Sequence, residues 1–141
     1  MGNLLVHLLI LFVLPPSSAT RTIERAFLQN DAQILIPLLP EKGRINISFP
    51  EPISFSDQLS KHQTYLFLEK IFTNYITLEF YTERDAFLES GDRYLYKARW
   101  SFQDKRNNQY PVNIFFQLVL VQETPAKERV WKILEIRAET I

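Results

Sequence analysis

The chain is 141 residues long, with 16 Lys plus Arg against 16 Asp plus Glu, no Cys and three Gly. One domain's length, zero net charge and 46% apolar residues exclude a disordered chain and the basic footprint of a nucleic-acid or anionic-membrane binder. Without Cys there is no disulfide, thiolate nucleophile or Cys-ligated metal, and the isolated Gly43 and Gly91 cannot build a phosphate-cradling loop, so no cofactor is expected.

Residues 4–14 are apolar except for His7. As a helix they would reach about 16 Å, half of a bilayer core, which is too short for a stable membrane anchor. Pro15 and Pro16 break the run, and Ser17 and Ala19 put small residues at −3 and −1 of a cut after Ala19. That order predicts a signal peptide over 1–19, a single domain over 20–141 starting at Thr20, and a secreted or periplasmic location.

Thr22 is expected to cap a short helix carrying Ile23, Ala26 and Phe27, which ends at Asn30. Asp31 is a good N-cap for a second short helix with Ile34, Leu35 and Leu38 on one side, cut short by Pro37. Alternation over 44–49 predicts a half-buried strand ended by Pro50 and Pro52. The longest helix is expected over about 57–74, with caps offered by Ser54 and Ser56. Tyr65, Leu68, Ile71, Phe72 and Tyr75 make its buried stripe. From Ile76 the period becomes two, and Ile76, Leu78 and Phe80 are expected on one face. Ser90, Gly91 and Asp92 mark a turn. Tyr94, Tyr96, Ala98, Trp100 and Phe102 then face inward, as do Val112, Ile114, Phe116, Leu118 and Leu120 on the next strand. The last strand, about 129–139, changes parity in the middle, which a bulge near 133 or 134 would reconcile. Helices segregated to one side of a hairpin-connected sheet define an α+β fold.

The order and its core residues resemble the NTF2-like (nuclear transport factor 2-like) superfamily. The features that carry the resemblance are Ile23 to Phe27, Asp31, Leu38 and Leu39, the strand at 44–49, Phe67 to Phe72, and Trp131 to Ile133. More narrowly, the chain is similar to small exported members without an assigned function, which share the final Ile136-Arg137-Ala138-Glu139 pattern. The resemblance implies a cone: two short helices and one long helix packed on a strongly curved antiparallel sheet.

Enzymes of that superfamily hold a carboxylate inside the cone to move a proton beside a carbonyl, with burial raising its pKa. None of the ten inward positions on the two central strands is Asp, Glu or His, and Glu79 has the opposite parity to Phe80. Kinks leave Glu83, Asp85 and Glu135 open. His62 lies on the polar face of the long helix without an i, i+4 ligand partner, and Glu83, Asp85, Glu89 and Asp92 lack calcium-loop spacing, so no metal site is expected. Eleven Phe, six Tyr and two Trp are the positive signal. They suggest a pocket lined by Phe72, Tyr75, Tyr94, Tyr96, Trp100 and Phe116, whose hydroxyls and indole orient a small apolar ligand. The expected function is an exported, non-catalytic module that binds such a ligand or an envelope protein. A small isomerase or dehydratase with a carboxylate in the cone and a structural subunit of an envelope complex are the alternatives. Phe115, Val119 and Val121 lie on the outer parity of their strand, and that face is the expected interface of a homodimer.

Overall fold

The computed structural model describes residues 16–83 and 87–141. The apolar run 4–14 and Asp85 fall outside them. The elements in order are α1 (Pro16–Leu28), a 3-10 helix (Ala32–Leu38), β1 (Ile45–Phe49), β2 (Phe55–Leu59), α2 (Lys61–Asn74), β3 (Ile76–Thr82), β4 (Phe87–Ser90), β5 (Arg93–Gln103), β6 (Gln109–Val121) and β7 (Val130–Thr140). The fold is α+β. The strands form one open mixed sheet in the order β2-β1-β7-β6-β5-β3, and β4 continues the β3 side of β5.

α1 begins six residues before the expected cap at Thr22, whose hydroxyl instead donates to the Ser18 carbonyl at 3.0 Å. Ala19, Ile23, Ala26 and Phe27 recur every three or four residues and form its buried face. Asp31 caps the 3-10 helix as expected, its carboxylate accepting from the Gln33 N–H at 3.0 Å. Pro37 lies inside that helix, which therefore stays short. Asn30, in the left-handed region at φ 55°, ties three elements together. Its side-chain amide donates to the carbonyls of Phe72 and Tyr75 at 2.6 and 2.8 Å, and its oxygen accepts from the Thr77 N–H at 3.1 Å.

The expected helix over 57–74 is shorter. Residues 55–59 form β2, antiparallel to β1 from Ile45↔Leu59 to Phe49↔Phe55, after a turn closed by the Ser54 N–H to the Pro50 carbonyl at 2.9 Å. The helix starts at Lys61 because Ser60 and Gln63 cap it reciprocally. The Ser60 hydroxyl accepts from the Gln63 N–H at 3.2 Å, and the Gln63 side chain accepts from the Ser60 N–H at 3.0 Å. Its buried face is Thr64, Leu68, Ile71 and Phe72, with Tyr65 and Tyr75 only partly covered.

β1 lies parallel to β7, with Ile47 opposite Ile136, so the sheet is not wholly antiparallel. β5 and β6 pair from Arg93↔Val119 to Gln103↔Gln109, with all the expected inward residues on the core side. The expected bulge in the last strand is Leu134: Gln117 faces Glu135, whereas Leu118 faces Ile133. Trp131, Ile133, Ile136 and Ala138 thereby all point inward. A second bulge in β3 was not expected. The register shifts between Thr77 and Glu79, which turns Ile76 and Leu78 outward and brings Thr77 and Phe80 inward, opposite Phe102 and Trp100.

Candidate functional site

Aromatic side chains expected to line a pocket surround Phe27, which occupies the space between them. Its ring, fully buried on α1, meets Phe72, Phe80, Trp100 and Phe116 at centroid distances of 5.1, 4.7, 5.1 and 5.7 Å. Three of these contacts are edge-to-face and the one with Phe80 is stacked, the arrangements that the ring quadrupole favours. Of the expected pocket residues, Phe72, Tyr96, Trp100 and Phe116 are brought together here as packed core. Tyr75 lies apart, edge-on to Phe102 at 5.1 Å, in a cleft with Phe55 and Phe67, and Tyr94 packs on Trp131 at 6.5 Å.

The polar tips of the two largest fully buried side chains are satisfied within the chain. The Trp100 indole N–H donates to the Thr77 hydroxyl at 2.9 Å, and the Tyr96 hydroxyl pairs with that of Thr82 at 3.0 Å. Both partners lie on β3, and the bulge sets the parity of Thr77. Burial pushes the Tyr96 phenol up to about 12; the Thr82 hydrogen bond opposes this and the charges of Glu24 and Tyr94 reinforce it. Glu24 is the carboxylate that sequence reasoning missed. It is half-buried on α1, between the inward Ile23 and Ala26, and that position in the helix wheel was the available signal.

Among the described residues the buried polar side chains are Thr64 and Lys132. The Lys132 ammonium donates to the Pro37 carbonyl at 2.8 Å and pairs with the Glu123 carboxylate at 3.0 Å, joining the 3-10 helix to the loop before β7. Beside it a cleft of about 550 Å³ opens between residues 40–42 and 121–127. Val121 of the expected interface lines this cleft, together with Glu41, Lys42 and Lys127. Glu41 is held below the usual carboxylate range by its hydrogen bond to Lys61 and then by the charges of Lys61, Lys132 and Lys127. The cleft thus presents mixed charges, with Pro40 and Val121 as its apolar side chains.

Phe115 and Val119 are half-buried on the outer face of the sheet. The Arg137 guanidinium lies 4.4 Å from the Phe115 ring centroid and the Lys97 ammonium 5.7 Å from it, so cations of the same chain cover that ring. His62 is exposed, and among the described residues no three His, Asp or Glu side chains converge on a metal position.

No family model and no curated protein matches the chain. Solved structures do. A DUF4783 family protein from Bacteroides ovatus aligns with a TM-score of 0.61 at 18% identity, over 84% of this chain and 92% of its own. A ketosteroid isomerase-like protein from Erwinia carotovora atroseptica gives 0.61 at 13% identity, over 89% and 92%. An NTF2-like protein from Cytophaga hutchinsonii gives 0.58 at 11%, over 88% and 93%. The chain has the NTF2-like fold, an open cone of α+β architecture. At these identities the likeness is one of fold, and the fold hosts isomerase-like proteins as well as proteins of unknown function.

Proposed function

We propose that the chain is an exported, non-catalytic binding domain that meets its ligand or envelope-protein partner on its outer surface. The observation that carries this is the Phe27 ring packed against Phe72, Phe80, Trp100 and Phe116 where a cone ligand would lie. Export rests on the order of apolar run, prolines and Ser17-Ser18-Ala19. The cleft between 40–42 and 121–127 is the proposed recognition surface, because its mixed Glu and Lys side chains beside the apolar Pro40 and Val121 suit a polypeptide segment better than a single-sign ligand.

Isomerase-type chemistry has one observation in its favour, the half-buried Glu24 carboxylate whose charge acts on Tyr96. Titration of the protein with a panel of apolar ketones, followed by NMR, separates the two. Resonances of Trp100 and Phe116 are expected to stay fixed. Movement of the Trp100 indole, or turnover of an enolisable ketone that Glu24→Gln abolishes, would overturn the binding proposal. Mass spectrometry of protein recovered outside the cytosol is expected to find Thr20 as the first residue, and a full-length chain in the cytosol would refute export.

A further inference from the structure

β3 is an outer strand of the sheet, opposite the β2 edge, and its solvent side is unusually apolar for an edge. Ile76, Leu78 and Tyr81 are 63%, 42% and 47% exposed, and Glu79 is the strand's only charge. Edge strands with few charges are templates for strand addition. The phase of its backbone groups follows from two bonds. The Glu83 N–H reaches back to the Lys97 carbonyl on β5 at 2.9 Å, so in an antiparallel ladder Tyr81 and Glu79 also face β5, while Phe80 and Thr82 aim their N–H and C=O groups away from it. Beyond the bulge the Thr77 N–H also turns away, and Asn30 takes it at 3.1 Å. Asn30 therefore closes one end of the edge. Among the described residues no strand pairs with the open part at Phe80 and Thr82.

We propose that this edge pairs with the same strand of a second copy of the chain, antiparallel and with the two-fold axis at Phe80. The backbone phase requires outward-facing residues to exchange hydrogen bonds, which Phe80 opposite Phe80 of the second copy satisfies. In that register each Glu79 carboxylate lies opposite a Tyr81 hydroxyl, an acceptor against a donor, on the outer face of the sheet. Two-fold registers centred on Glu79 or Tyr81 would instead oppose Glu79 to Glu79 or to Glu83, which like-charge repulsion disfavours. Leu78 and Tyr81 supply the apolar surface that the seam buries. The seam uses neither the cone interior nor the cleft at 121–127, so it stands apart from the proposed recognition surface.

Sedimentation across micromolar to millimolar concentrations tests it, with charge variants at the exposed pair. Wild type is expected to dimerise reversibly. Tyr81→Glu, which sets two like-charge pairs in the seam, is expected to weaken the dimer about tenfold. Tyr81→Lys keeps it, and the swap Glu79→Lys with Tyr81→Glu restores it. Hydrogen exchange of wild type supplies a measurement that needs no variant: the Phe80 and Thr82 amides slow as concentration rises. A monomer throughout that range, equal weakening by Tyr81→Glu and Tyr81→Lys, or dissociation by Phe115→Glu with Tyr81→Glu inert would each overturn the proposal.

Discussion

Phe27→Ala is the most direct perturbation of the cone. The ring is fully buried and touches four other aromatic rings, so neighbouring side chains cannot swing in to replace it without leaving their own contacts. Truncation removes roughly 100 Å³ of side chain, and at about 24 cal/mol per Å³ an unrelaxed cavity of that size costs about 2.4 kcal/mol. Lost transfer of the ring from water adds about 2 kcal/mol, for a total of about 4 to 5 kcal/mol. Urea unfolding should show this as a lower midpoint at an unchanged slope, since the surface exposed on unfolding hardly changes. The new cavity, walled by Phe72, Phe80, Trp100 and Phe116, should stay dry and bind benzene, recovering part of the lost stability in proportion to the logarithm of ligand concentration. A loss below about 1.5 kcal/mol, or no stabilisation by benzene, would refute Phe27 as the plug of the cone.

Three further outcomes follow from the polar contacts. The raised Tyr96 pKa favours the neutral phenol in the fold, so its contribution is fully present below pH 10 and is lost as pH rises from 10 through about 12. The difference between wild type and Tyr96→Phe should accordingly shrink over that window by roughly 3 kcal/mol in chemical denaturation. Lys132→Ala strands the Glu123 carboxylate and the Pro37 carbonyl and should cost about 3 kcal/mol, whereas Lys132→Met combined with Glu123→Leu should recover most of it in a double-mutant cycle. Asn30→Asp points a carboxylate at the Phe72 and Tyr75 carbonyls and should destabilise by about 3 kcal/mol, more than Asn30→Gly, which keeps the left-handed backbone; equal losses in urea melts would contradict the three-bond role of this side chain.

Local periodicity alone carried the long strands. Along β5 and β6 every second residue is apolar because one face meets the helices and the other water, so parity could be read without knowing any partner. The Leu134 bulge was legible for the same reason: both faces of the last strand could be buried only if one residue stepped out of the ladder. The Asp31 cap and the brevity enforced by Pro37 are likewise properties of adjacent residues.

The remaining features depend on contacts between distant residues. β2 reads Phe-Ser-Asp-Gln-Leu, a polar stretch without alternation, and becomes a strand only because β1 offers it a free edge. The β3 bulge turns Ile76 and Leu78 outward and places the Thr77 hydroxyl where it accepts from the Trp100 indole on another strand. Phe72, Tyr96, Trp100 and Phe116 were identified as neighbours from parity, but whether they enclose a space is a sum of volumes over several elements. Phe27, on a helix far away in sequence, fills that space. Sequence therefore determined which residues of β5, β6 and β7 face the interior. The tertiary structure decided that the interior is filled, because packing density belongs to no single segment of the chain.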